Sequence, residues 1–480
     1  MTIEAPELLT LDQLSPDEMM LIEMLRGELQ LERWQFDELD AYFNGEQIIR
    51  DLGISIPPQL KGLHTVVGWP RIGVTALEER LDLDSFRWVD GADSSDLQAI
   101  ADANDLFDEA SLAHTDALVF GRSYLAVGSG DCGSADCPPL ISVESPRDMA
   151  VMWDARTRTV TAALRECDAP WMGLIGPREQ LLVLYLPDQT VQAVRSPSGG
   201  WEVIDRDIHN LGIVPVVRMA NRQRTGERWG RSEITPEVMS ITDAACRTLL
   251  GMEVAREFFA APQRYILGAS EQAFQDAEGN PKGAWETYIG RVLALERDED
   301  GNVPEVGQFT AYDPSAYTKI IDLYARIMAT QLGLPPHYLG YTSDNPASAD
   351  AIRSAEAQLI KRAERRQRRF GHAWVQALRL GLWVQQGEPP DKTRVIEPVW
   401  RNAATPTVAA STDAAVKLVT AGVLQPNSAV TMQMVGLTAS QQQQVLAEQQ
   451  RAAGQQATQD ILAQIAKLNS VSLPDAAENQ

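Results

Sequence analysis

Between Ser123 and Arg222 apolar residues alternate with polar ones, whereas on both sides of that region they recur at helical spacing. No other feature constrains the fold as much, because a repeat of two puts one face of a strand against a core and a repeat near 3.6 does the same for a helix. The runs ISVESPRDMAVMWD, VTAALRECD, QLLVLYLPDQTVQAVR, GGWEVIDRDIHN and IVPVVRMANR are split by Pro, Gly, Asp and Asn turns. They predict a mostly antiparallel β unit over about 120–222 inside an otherwise helical chain, an α+β fold.

Upstream, Ser15-Pro16 opens and Asn44-Gly45 closes an acidic helix in which Leu21, Met24, Leu25, Leu29, Leu31 and Phe36 predict one buried face, the acidic face being solvated. A second helix, starting near Ser95 or Asp96, carries Leu97, Ile100, Leu106 and Leu112 and leads into the strand SYLAV. Downstream, SEITPEVMSITDAACRTLLGMEVAREFFA tolerates Pro236 in its first turn, and PSAYTKIIDLYARIMATQLG stops at Gly333 before Pro335-Pro336. These two long helices bracket a loop-rich insertion with Gly-Asn-Pro and Asp-Gly-Asn turns. After a short loop, TSDNPASAD, a third long helix grows steadily more basic. The chain closes with a helical segment near Ala414 to Ala421 and a Gln-rich stretch that carries Val445, Leu446, Ile461 and Ile465 on one face.

At ~150 residues per domain, 480 residues suggest several structural units. Hydrophobic and charged contents of 44% and 22% are those of a globular chain. The formal charge of −24 argues against a protein whose main task is gripping nucleic acid, since that work needs a basic surface to displace counterions from phosphate. No apolar run approaches the roughly 18 residues that span a bilayer, and MTIEAPELLTLDQLSPDE is acidic where a signal peptide is basic. A soluble chain without a membrane partner is expected.

Candidate chemistry is sparse. Of the four cysteines, Cys132 and Cys137 can clip their own loop or donate to zinc, but their spacing is not that of a zinc knuckle and no histidine pair accompanies them. A literal GxGxxG at Gly128, Gly130 and Gly133 follows a strand, yet another strand comes next instead of the helix N-terminus that would hold a pyrophosphate. His64, His114, His209, His337 and His372 stand in no metal spacing and are expected as core or capping residues, and neither a phosphate-binding GxxxxGK[ST] nor a GxSxG elbow occurs. No catalytic residue, metal or cofactor is expected.

The basic helix is the remaining candidate. Lys361, Arg362, Arg365, Arg366, Arg368 and Arg369 accompany Glu356 and Glu364, while Ile352, Leu359, Ala363, Phe370 and Trp374 mark its apolar stripe. Three readings fit: a solvated face with pairs such as Glu364 to Arg368, contacts to a neighbouring acidic chain, or contacts to DNA phosphates.

Five segments together carry a resemblance: LVFGRSYLAVG, ISVESPRDMAVMWD, HNLGIVPVVRMANR, RSEITPEVMSITDAACRTLL and LGLPPHYLGYTSDNPASADAIRSAEAQLIKRAERRQRRFGHAW. With them the chain resembles the SPP1-type portal family of tailed bacteriophages over roughly residues 110–375. The resemblance implies a portal fold: N-terminal helices and an α/β wing over 1–231, a first stem helix over 232–261, a clip over 262–312 and a second stem helix over 313–340. It continues with a tunnel loop over 341–349, the basic helix and a return to the wing over 350–404, and a helical crown with a Gln-rich tail over 405–480.

It implies Tyr341, Thr342, Ser343, Asp344, Asn345 and Pro346 as the DNA-facing tunnel loop, the basic cluster as a subunit interface or DNA-proximal surface, and Trp285 and Tyr288 of the clip as docking anchors. The implied assembly is a dodecameric ring at the capsid portal vertex, built in the host cytoplasm. Double-stranded DNA passes through without tight binding, and the terminase large subunit, head–tail connector, capsid and scaffold proteins are the partners. The competing readings are another capsid or scaffold protein and a DNA-processing enzyme.

Overall fold

The computed structural model describes residues 13–48, 65–130, 137–169, 179–195, 200–259, 264–267, 305–308, 313–340, 349–404 and 408–471. In chain order the N-terminal elements are α1 (Pro16–Asn44), α2 (Trp69–Glu78), β1 (Leu83–Trp88), α3 (Ser95–Ala103) and α4 (Leu106–Phe120). The strands β2 (Arg122–Gly128), β3 (Leu140–Glu144), β4 (Met149–Asp154), β5 (Thr159–Ala169), β6 (Glu179–Tyr185), β7 (Thr190–Arg195), β8 (Trp201–Asp207) and β9 (Val216–Ala220) follow. The helical half holds α5 (Pro236–Phe259), β10 (Arg264–Leu267), β11 (Glu305–Gln308), α6 (Ser315–Leu332), α7 (Ala349–Gln386), β12 (Ile396–Trp400), α8 (Val408–Thr420), α9 (Ala429–Val435) and α10 (Ala439–Val471).

The alternating region forms two antiparallel sheets, β4-β5-β6-β7-β8 and β3-β2-β9. Their inner faces meet through Met149, Val151, Ala163, Leu181 and Val183 on one side and Tyr124, Ala126, Val214 and Val216 on or beside the other. Strand β2 is buried on both faces: Tyr124 and Ala126 point to the larger sheet, and Leu125 and Val127 enter the main core with Phe370, Trp374 and Leu378 of α7. The remaining face of the larger sheet is covered by Ile22 and Leu25 of α1, which pack on Ala162, Leu164, Leu182 and Leu184. The order of layers is thus α1, five-stranded sheet, three-stranded sheet, α7.

Helix α1 starts with a capping box. Glu18 N donates to Ser15 Oγ at 3.2 Å while Ser15 N donates to Glu18 Oε2 at 2.8 Å, and Gly45, at φ +78°, closes the other end. Glu18 also accepts from Arg206 Nη1 at 2.6 Å and Gln189 Nε2 at 2.9 Å, so the residue that caps the helix also ties it to the sheet beneath. The buried face holds Ile22, Leu25, Phe36 and Leu39, whereas Met24 and Leu31, expected inside, are exposed. Helical spacing alone places them near the boundary of the stripe; the sheet and α4 cover only the side centred on Ile22 and Leu25.

The helix expected from Ser95 through Leu112 is two helices. Asp105 is left-handed at φ +47°, and Asn104 turns its side chain out to accept from Ile141 N at 2.8 Å and donate to Pro139 O at 2.8 Å, which seats the start of β3. Leu112 lies on the exposed side of α4. Strands β1 and β12 pair antiparallel across more than 300 residues of sequence, with Trp88 opposite Ile396. The long helices α5 and α6 lie against each other, where a Cβ added at Gly251 would meet the Tyr317 ring at 3.6 Å, and the short ladder β10-β11 closes the base of the insertion between them. Cys137 is disulfide-bonded, whereas Cys246 is a buried free thiol.

His114 sits fully buried between α4 and α7, stacked on Phe370 at 5.2 Å, and accepts a hydrogen bond from Trp374 Nε1 at 3.0 Å on its Nε2. Burial pushes the imidazole down to about 3, well below its ordinary value. The unfolded chain therefore binds a proton that the folded chain refuses between about pH 6.5 and pH 3, and stability falls as pH drops through that window. His114→Gln keeps an acceptor for Trp374 and stays neutral; calorimetry should find it less stable at neutral pH but with a flatter melting temperature from about pH 6.5 to pH 4.

Candidate functional site

A dense group of charged residues surrounds Glu233, three residues before the start of α5 at Pro236. Its carboxylate is almost wholly buried and takes Arg362 Nη2 at 2.5 Å on Oε2 and Arg366 Nη2 at 2.6 Å on Oε1, both from α7. Arg222 Nη1 lies at 3.6 Å. Asn221, fully buried after the end of β9, donates from Nδ2 to Glu233 Oε1 at 3.0 Å and to Arg231 O at 2.9 Å, and accepts from Arg366 Nε at 3.1 Å. Both N–H groups of that amide and its oxygen are engaged.

The backbone closes the same junction. Asn221 N donates to Gly121 O at 2.8 Å, Arg231 N to Asn221 O at 2.9 Å and Glu233 N to Leu118 O at 2.8 Å. Gly230 adopts φ +105°, and a Cβ there would meet Gly121 O at 2.1 Å, so this crossing of two chain segments requires glycine. The end of α4, the start of β2, the end of β9, the approach to α5 and the middle of α7 are thereby joined at one point.

Burial alone would raise the Glu233 carboxyl, but Arg366, Arg362, the Asn221 amide and Arg222 outweigh it and hold the group below its ordinary value. An ion taken from water costs several kcal/mol, and here two guanidinium groups and an amide offset that cost. The chemistry is structural: every polar atom named is already engaged. Among the described residues no group of three or more His, Cys, Asp or Glu side chains is placed to hold a metal ion.

The six basic residues expected to act together divide. Arg362 and Arg366 turn inward to Glu233, and Arg369 Nη1 donates to Gln223 Oε1 at 2.9 Å. Lys361 pairs with Glu364 at 3.1 Å, so Glu364 binds the lysine one turn back rather than Arg368. Arg365 and Arg368 are exposed and make no ion pair among the described residues. Further toward the N-terminus of α7, Glu356 meets Arg80 at 3.3 Å, and Arg80 also donates to Ala403 O at 2.6 Å. Tyr341, Thr342, Ser343, Asp344, Asn345 and Pro346 lie outside the described residues, as do Trp285 and Tyr288.

Glu233, Asn221 and Arg222 were not singled out by the sequence, although RSEITPE and VVRMANR contain them. The one available signal was an acidic residue just before an apolar helix, and a capping role explains such a residue equally well.

The family described as phage portal protein, SPP1 Gp6-like, matches residues 23–456 of the chain. The chain belongs to that family. It is 39% identical over 387 residues to the portal protein of Mycobacterium phage D29, covering 79% of this chain and 77% of that one. It is 38% identical over 386 residues to the portal protein of Mycobacterium phage L5, with the same coverage of both chains. Among solved structures, a chain from the neck of a native GTA particle computed with C12 symmetry is similar at a TM-score of 0.44 and 15% identity, covering 77% of this chain and 90% of that one.

Glu233→Gln leaves two cations facing a neutral amide in a buried site, and urea denaturation should find a loss of about 3–5 kcal/mol. Arg366→Ala should cost a similar amount, and the double variant less than the sum of the two, because both remove one network. The contribution of Glu233 is present above the unfolded carboxylate value, about 4.3, and is lost as pH falls through the lower folded value.

Proposed function

We propose that this chain is the portal subunit of a tailed phage: copies close into a ring at one capsid vertex, and double-stranded DNA passes through the ring during packaging and ejection. The observation that carries this is family membership across residues 23–456. The order of the described elements supports it: a helix, an insertion closed by a short ladder, a second helix packed on the first, then the long helix α7.

In this reading α5 and α6 are the stem, residues 262–312 the clip that meets the terminase large subunit and later the head–tail connector, and residues 341–349 the tunnel loop, with Tyr341 to Pro346 facing DNA. The sheets and N-terminal helices form the wing, joined again by β12, and the helices after residue 405 form the crown. Trp285 and Tyr288 serve as docking anchors on the clip, and capsid and scaffold proteins surround the ring.

The charge distribution supports a conduit over a DNA-gripping machine. A chain at −24 repels the phosphate backbone and leaves only brief contacts, and two of the six clustered basic residues are already committed to Glu233. The protein is structural and has no catalytic role in this reading, and it resides in the virion at the portal vertex after assembly in the host cytoplasm.

Light scattering on a sizing column, with negative-stain images, tests the reading. The expected particle is a ring of dodecameric size with an axial hole that admits a B-form duplex. A compact dimer without a hole would refute it.

A further inference from the structure

Two exposed faces of the chain present side chains to contacts beyond its own fold. The first is the outer side of α1, where Met20, Met24, Leu31 and Trp34 recur at helical spacing and are 58%, 50%, 68% and 68% exposed. Asp17, Glu23, Glu28 and Glu38, all exposed, flank or continue this stripe. Four large apolar side chains in one row on a helix surface are more than the scattered exposure of an ordinary monomer.

The second is a groove along α7. Its deeper part, about 690 Å³, is walled by Trp153, Val160, Ile213 and Trp383 and edged by Arg158, Arg218, Arg228, Arg379 and Lys392, with no carboxylate in its lining. The part beyond His372, about 880 Å³, is lined by Arg365, Arg368 and four further arginines, again without a carboxylate. Such a surface is out of keeping with a chain at −24.

Inside the groove, Arg218 lies 4.2 Å from the Trp153 ring centroid and 4.9 Å from that of Trp229, and its Nη1 is buried without a hydrogen-bond partner among the described residues.

We propose that the outer face of α1 on one copy docks into the α7 groove of the next. This rests on the ring reading above and deepens it by naming the two mating faces. A ring needs a heterologous interface, in which one face of each subunit meets a different face of its neighbour. The layer order supplies that arrangement, since α1 caps the outside of the five-stranded sheet and α7 lies beyond the three-stranded one. The faces match in chemistry as well: the Met and Trp row meets the aromatic and aliphatic walls, and the flanking carboxylates meet the unpaired cations at the rim. Nucleic acid fits less well, because a phosphate backbone has no use for walls built from Trp153, Ile213 and Trp383.

Charge reversal of each face tests the pairing. One variant carries Glu23→Lys and Glu28→Lys, the other Arg368→Glu and Lys392→Glu; all four side chains are exposed. Each variant should keep the wild-type circular dichroism spectrum and melting temperature yet need at least about tenfold more protein to form rings. Mixed in equal amounts, the two should assemble again, because reversed α1 faces meet reversed grooves and normal faces meet normal grooves; native mass spectrometry should find alternating composition.

Folded variants that assemble as the wild type does, or a mixture that stays unassembled, would overturn the pairing. So would a groove variant whose rings form normally but lose duplex binding, which would assign the groove to nucleic acid. Wild-type protein that forms no ring would instead remove the portal reading, and the pairing with it.

Discussion

One buried carboxylate sets the geometry of the chain. Glu233 lies where α5 leaves the sheets, and its two oxygens are bound by Arg362 and Arg366, one turn apart on α7. Because Asn221 binds the same carboxylate, the Arg366 guanidinium and the Arg231 carbonyl, the end of β9 cannot shift without disturbing both helices. The glycine crossing of Gly121 and Gly230 permits this closeness, which any side chain at Gly230 would prevent. Apolar packing supplies most of the stability of such a fold, but it is not directional; a buried ionic network that is satisfied in one arrangement only is what fixes the angle between elements.

In the proposed ring that angle has mechanical meaning. Helix α5 is long and joined to β9 through a short approach, so its direction, and that of α6 packed on it, depends on what happens at the approach. The node around Glu233 joins that approach to the middle of α7.

Much of the fold was legible in the sequence because it depends on local period. The strands from Leu140 to Ala220 appear where polar and apolar residues alternate, and α1, α5 and α6 stop or start at the residues whose backbone chemistry predicts it: Ser15, Gly45, Pro236 and Gly333. What local period cannot carry is partnership. Strands β1 and β12 are short and lie more than 300 residues apart, so neither marks the other. The basic run looked like one surface because its residues are adjacent, but Arg362 and Arg366 face inward to an acid about 130 residues earlier, while Arg365 and Arg368 face out. Helical spacing alone puts Met24 and Leu31 in the core because a helix of this length has apolar residues on more than one side, and only the placement of the sheet decides which side is covered.

Hydrogen exchange at three amides tests the role of Glu233 most directly. The N–H groups of Asn221, Arg231 and Glu233 close the junction onto Gly121, Asn221 and Leu118. If the buried carboxylate joins the elements around it, these amides exchange only with global opening, together with those of β2, β9 and the middle of α7. Exchange of the three by local opening, while the strands and α7 stay protected, would contradict that role and leave apolar packing as what sets the direction of α5.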